Sequence, residues 1–180
     1  PAIARLMAEA AERASVGPMA AVAGVLADLA VEDMVSSGAK LAVVENGGEA
    51  FAVSDTPINV ALAAGDSPLS KRIGFRLEDF PIGFATSSGL YSHALSLGEA
   101  EAVTVFAVNA GVADAAATAV GNLVKGEDWR KAVERGIAKA LSIEGVKGAL
   151  ILYRGLVGKA GKIPEIVKVS RTSRSGRKAL

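Results

Sequence analysis

The chain has 180 residues, of which 51% are hydrophobic and 22% charged, with a formal net charge of +1 and no cysteine. This composition excludes a disordered chain, a disulfide-stapled scaffold, a thiolate nucleophile and Cys-based metal sites, and the near-neutral charge argues against a dedicated nucleic-acid binder. Aromatics are 4% while Ala, Gly and Val abound, which suits closely packed helix and sheet layers. The most apolar run, Val16 to Ala27, stops at Asp28 and is shorter than the ~20 residues a membrane-crossing helix needs. With no basic leader ahead of an apolar signal core, the expectation is a cytoplasmic protein without a membrane partner.

Ile3, Leu6, Met7, Ala10 and Ala14 recur at helical spacing, with Arg5, Glu9, Glu12 and Arg13 opposite, so residues 3–15 predict an amphipathic helix. That helix is in full stride at once and the chain starts at Pro1 rather than Met, so a segment ahead of Pro1 is expected. Val16-Gly17-Pro18 ends the helix. A second helix over 19–37 is apolar nearly all round (Met19, Val22, Val25, Leu26, Leu29, Val31, Val35), which predicts a central, buried helix with Gly38 as its C-cap. Leu41–Val44 and Ala50–Val53 read as strands around Glu45-Asn46-Gly47-Gly48-Glu49, and Asn-Gly between two such runs signals a hairpin. Strands follow over 59–64, 73–77, 82–85 and 102–108, then a helix over 111–124 and another from Asp128 to Leu141 with Asp128 as N-cap. Strands over 148–153 and 166–169 close the pattern. The segment 170–180 is basic and Ser-rich without apolar anchors and reads as a flexible tail. A run of strands with helices ahead of and behind it predicts an α+β domain over 1–169, with helices packed on an antiparallel or mixed sheet.

Most residues capable of chemistry fall between Pro81 and Val124. Asp114, Thr118, Gly121 and Asn122 share one face of the 111–124 helix, and everything between them is Ala or Val. A carboxylate and a hydroxyl one turn apart can offer oxygens to a hard cation such as Mg2+. The same residues have plain structural readings. Gly111 as N-cap would place Asp114 at N3, beside the positive helix end, and Thr118 can bond the carbonyl one turn back. Thr86-Ser87-Ser88-Gly89 puts three hydroxyls at a strand end, where such a loop can hold phosphate or simply turn the chain. His93, the only histidine, is the one side chain there with a near-neutral ordinary pKa, and a candidate general base. A Ser–His–Asp hydrolase from Ser87, His93 and Asp114 lacks the Gly-x-Ser-x-Gly elbow. Asn46-Gly47-Gly48 reads as a turn that also admits a flat ligand to backbone amides. Gly17 and Met19 open the second helix, and helix N-termini attract phosphate.

Together these segments resemble the ApbE-like superfamily, whose best-known members are FAD:protein FMN transferases, and are closest to its shorter, uncharacterised branch. The resemblance is carried by VGPMAAVAGVLAD (Val16–Asp28), VVENGGEAF (Val43–Phe51), AGDSPLS (Ala64–Ser70), GFATSSGLYSHALSLGEAEAVTVFA (Gly83–Ala107) and ADAAATAVGN (Ala113–Asn122), in the family's order. It implies a T-fold-like α+β architecture, a duplicated antiparallel or mixed sheet packed by helices, with a ligand cleft between the halves. It implies Asp114 and Thr118 as the metal pair beside an FAD pyrophosphate, and Thr86, Ser87 and Ser88 at the ligand. Ala23 stands where the transferases carry lysine, and His93-Ala94-Leu95-Ser96 lacks their Asp-Pro.

The resulting expectation is a small-molecule-binding protein for FAD, FMN or another phosphate-bearing heterocycle, with Mg2+ and room for a homodimer. Asn46, Gly47, Gly48, Gly17 and Met19 would line the ligand, and His93 would serve any catalysis. The alternatives are a non-catalytic sensor or assembly module of the same fold, and a pterin- or purine-handling enzyme.

Overall fold

Period-two alternation in the middle strands sorts the side chains into two cores. The computed structural model of the chain describes residues 1–62, 69–88 and 98–169. Its helices are α1 (Ala2–Ala14), α2 (Val22–Ser36), α3 (Ala110–Leu123) and α4 (Trp129–Ser142), with a 3-10 turn over Pro18–Ala21. Its strands are β1 (Ala42–Asn46), β2 (Glu49–Val53), β3 (Ile58–Ala61), β4 (Ile73–Leu77), β5 (Ile82–Ser87), β6 (Ala102–Ala107), β7 (Val146–Tyr153), β8 (Leu156–Gly161) and β9 (Glu165–Lys168). Six strands form one sheet in the order β1-β2-β5-β6-β7-β8, and β3-β4-β9 form a second, with every described pairing antiparallel.

In β6 and β7, Val103, Val105, Ala107, Ala149, Ile151 and Tyr153 face the helices. Their alternates Ala102, Phe106, Leu150 and Leu152 face the small sheet, where Phe75 meets Phe106 edge-on at 4.8 Å between ring centroids. The large sheet is thus covered on both sides, which is why all of β6 is buried. The architecture is α+β, as the element pattern predicts.

The buried helix at the centre is α3, not the second helix. Every residue from Ala110 to Ala117 is buried, because α3 lies against β5 and β6 with α1, α2 and α4 around it. Its alanines leave room for that approach. In contrast, α2 buries one face (Val25, Ala27, Asp28, Val31) and leaves Leu26 45% and Met34 41% exposed. The apolar count was high enough for full burial, but the sheet covers only one side.

Other boundaries moved for local reasons. Asn109, not Gly111, caps α3, since its side chain accepts from Val112 N at 2.9 Å. Asp114 is therefore two residues deeper than N3. Asp128 caps α4 as expected, accepting from Lys131 N at 3.1 Å, and Gly38 turns out of α2 with φ 99°. Strand β8 escaped the sequence pattern because its half-buried positions include Gly158 and Ala160, and the turn into it, Arg154-Gly155, has φ of 47° and 79°. No single helix among the described residues is long and apolar enough to cross a membrane. The expected tail, residues 170–180, lies outside the described residues.

Candidate functional site

An α-helix leaves its first amides without intrahelical acceptors, so something else must satisfy them. In α3 the account closes. Val112 N goes to the Asn109 side chain, and Ala113 N reaches Asn109 O at 3.2 Å. Ala110 N and Gly111 N donate to Asp28 Oδ1 and Oδ2 at 2.7 and 2.9 Å. In α2 the N-cap is Ala21, which offers no side-chain acceptor. There Gly24 N donates to Asp114 Oδ2 at 3.0 Å. Each helix thus supplies an aspartate to the N-terminus of the other. The crossing is close because it is made of glycines. A Cβ on Gly24 would fall 2.8 Å from Gly111 N, and one on Gly111 would fall 2.7 Å from Val25 Cγ2.

The β1–β2 hairpin brings its turn to the same place. Gly47 and Gly48 form the two-residue turn with φ of 80° and 114°, a conformation that favours glycine. Glu45 Oε1 accepts from Gly48 N at 2.7 Å, and Asn46 Nδ2 donates to Ala23 O at 3.4 Å, one residue before Gly24. Thr86 N donates to Gly48 O at 3.2 Å, tying β5 to the turn. Glu49 is the first residue of β2, opposite Ala85, on the side that faces the helices.

Three carboxyls flank this crossing, Asp114 and Glu49 on the side of the hairpin turn and Asp28 on the other, and each is held above its usual range. Burial pushes Asp114 up to about 6, and the charge of Asp28 adds to it against the pull of the Gly24 and Ala23 amides. Burial likewise lifts Asp28 to about 6, opposed by the Gly111 and Ala110 amides. Glu49 is raised to about 7, first by burial and then by the charge of Asp114. None of the ion pairs among the described residues involves any of the three. The arrangement can therefore accept a cation or share protons. No described cluster of three His, Asp or Glu could hold a metal by itself.

The structure brings Asn46, Gly47, Gly48 and Asp114 together around Ala23 and Gly24. Thr118 follows Asp114 by one turn and is half-buried. The hydroxyls of Thr86 and Ser87 separate, because β5 runs as a strand through both. Thr86 Oγ1 pairs with Thr104 Oγ1 at 2.9 Å on the side of the small sheet, so only its main chain borders the turn. Ser87 takes the helix side by alternation, and Ser88 is buried. Gly17 begins the 3-10 turn rather than α2, and Met19 is 72% exposed. The first amides of α2 already have Asp114. Gly121, at the far end of the polar stripe, presents its carbonyl to Gly98, where it leaves no room for a Cβ. His93 and Gly89 lie outside the described residues.

Sequence reasoning missed Asp28 and Glu49. Asp28 was legible as a charge inside an otherwise apolar helix face. Glu49 was legible by counting back two residues from Phe51, which shares its side of β2.

A family model for AbpE of bacteria matches residues 1–151. The UPF0280 protein of Methanococcus vannielii is 40% identical over 180 residues, 98% of this chain and 72% of that one. The UPF0280 protein of Methanocaldococcus jannaschii is 41% identical over 175 residues, 95% of this chain and 70% of that one. Among solved structures, the ApbE protein of Thermotoga maritima matches with TM-score 0.59 and 23% identity over 78% of this chain and 50% of its own. The flavin transferase ApbE of Vibrio cholerae matches with TM-score 0.54 and 20% identity over 81% of this chain and 47% of its own. The chain spans about half the length of these solved proteins, and at such identities the likeness is one of fold. On the family match and the relatives together, the chain belongs to the AbpE family of bacteria, an ApbE-like fold shared with the UPF0280 proteins.

Proposed function

We propose that this chain binds a flavin, or another flat heterocycle carrying phosphate, together with Mg2+, at the helix-facing end of β1, β2 and β5. One observation carries the reading. Asp114 is buried beside Glu49 with backbone amides at the start of α2, and no cationic side chain among the described residues, to offset its charge. A divalent cation would offset it. The donor set fits Mg2+, which takes one or two carboxylates and keeps several waters for the rest. Asp114 and Thr118 would hold it, with Glu49 beside them. When bound, the ion would neutralise phosphate charge and polarise a phosphoryl oxygen. The hairpin turn, anchored through Asn46 to Ala23 O, shapes one wall. Ser87 and Ser88 supply hydroxyls at the end of β5. The fold match to solved flavin transferases supports the choice of flavin.

A second reading, a binding module without chemistry, is favoured by Ala23. Its carbonyl receives Asn46 at the centre of the site, and it brings no amine where the transferases carry lysine.

Thermal shift with FAD, FMN, ATP and a pterin, each with and without Mg2+, tests the proposal. Stabilisation should grow with ligand concentration and be larger with Mg2+. Asp114→Asn should lose the Mg2+-dependent part. If no flavin or nucleotide shifts the transition, the ligand is wrong. Release of FMN from FAD, followed by chromatography, separates enzyme from module.

A further inference from the structure

We infer that Asp28 is the positioning residue for Asp114, acting from the opposite side of the α2–α3 crossing. The inference rests on the reading that Asp114 faces the ligand. Asp28 is buried and grips α3 through both carboxylate oxygens, at Ala110 N and Gly111 N. One helical turn later, Asp114 reaches back to α2 at Gly24, one turn before Asp28. The four groups close a ring: Asp28, the start of α3, Asp114, the start of α2.

Side chains ordinarily set the distance between packed helices. At this crossing glycine stands on both helices, so Gly24 meets the α3 backbone directly and Val25 is the side chain that packs over Gly111. With so little side-chain bulk between the helices, the hydrogen bonds of the two aspartates help to set their spacing. Displacing α3 at Ala110 therefore displaces Asp114, since both lie on one rigid turn. A site that holds a metal or phosphate tolerates little such error, because positioning groups must be fixed to a fraction of an ångström. Asp28 has this influence without bordering the β1–β2 turn itself.

The test reads amides that Asp28 does not touch. In Asp28→Asn only one carbonyl oxygen remains to accept, and an NH2 group confronts the second amide. Hydrogen exchange by NMR should speed at Ala110 or Gly111 and, by the ring, at Gly24, roughly tenfold at each. If Gly24 keeps its protection while the α3 amides lose theirs, Asp28 is a local cap and the inference fails. Should Asp28→Asn not fold, Asp114→Asn gives the reciprocal measurement. It should speed exchange at Ala110 and Gly111, and a change confined to Gly24 would again overturn the inference. Mn2+ alone serves as the metal probe. Its affinity should fall about tenfold in Asp28→Asn and stay unchanged in Ile151→Val, a core variant remote from the crossing. Unchanged Mn2+ affinity in an Asp28→Asn protein with altered Gly24 exchange overturns the functional claim. If wild type itself binds no Mn2+, the metal reading falls, and the amide pattern still decides the role of Asp28.

Discussion

Replacing Gly24 by alanine sets two physical effects against each other. Helix propensity alone predicts a gain, since alanine is favoured over glycine by roughly 1 kcal/mol within a helix. Packing predicts a loss. The new Cβ would lie 2.5 Å from the Ala110 carbonyl carbon and 2.8 Å from Gly111 N, where ordinary contact begins at 3.4 Å. Both obstacles are backbone, so no rotamer change relieves them, and α2 and α3 must part by several tenths of an ångström. Overpacking of this kind costs about 1–3 kcal/mol. The same parting stretches the Gly24–Asp114 bond and the Asp28 bonds, which adds roughly 1 kcal/mol or more for each buried hydrogen bond weakened. The net expectation for Gly24→Ala is a loss of about 3–5 kcal/mol after the propensity gain. Urea unfolding followed by circular dichroism at 25 °C measures it directly. A stability equal to or above wild type would show that the helices separate freely, and the reasoning about the crossing would be refuted.

Gly17→Ala is the contrasting case, since a Cβ there meets nothing within 4 Å and φ is −74°. It should change stability by no more than about 0.5 kcal/mol, while any weakening of FAD binding would place Gly17 against the ligand. In Asp114→Asn the charge that helps hold Glu49 near 7 is gone, so the Glu49 carboxyl should titrate lower by carbon-13 NMR; an unmoved Glu49 would mean that the two do not interact. The pH dependence has a definite sign. Asp28 and Asp114 titrate near 6 and Glu49 near 7 in the folded chain, all above their ordinary values of 3.8 and 4.5. Their stabilising contribution is present below those ordinary values and is lost as pH rises through 6 to 7. Stability should therefore fall from about pH 4 to about pH 7, by at most ~1.4 kcal/mol per pH unit for each proton released. Saturating Mg2+ should flatten the slope, and a rise across this window in denaturant titrations would contradict the assignment.

How much of this was legible depended on whether a signal is local. The hairpin at Gly47-Gly48 and the Asp128 cap were readable because turn and capping chemistry use neighbouring residues. Strand β4 was placed residue for residue from Ile73 to Leu77. The Asp114–Thr118 spacing was readable because one turn of helix fixes it. The burial of α2 was misjudged because apolar composition does not say how many neighbours a helix will have. Thr86 and Ser87 were grouped as one hydroxyl cluster, but continuation of β5 sends them to opposite sides of the sheet.

The sequence by itself determined the α+β class, the order of elements and the pairing of glycines with polar residues near Asp114. Local propensity and periodicity suffice for these. Only the tertiary structure decided that Asp28, 82 residues before Ala110, serves the start of α3, and that Asp114, 90 residues after Gly24, serves the start of α2. The reason is that a helix end is satisfied by whatever acceptor the fold delivers. No spacing along the chain records which aspartate that will be.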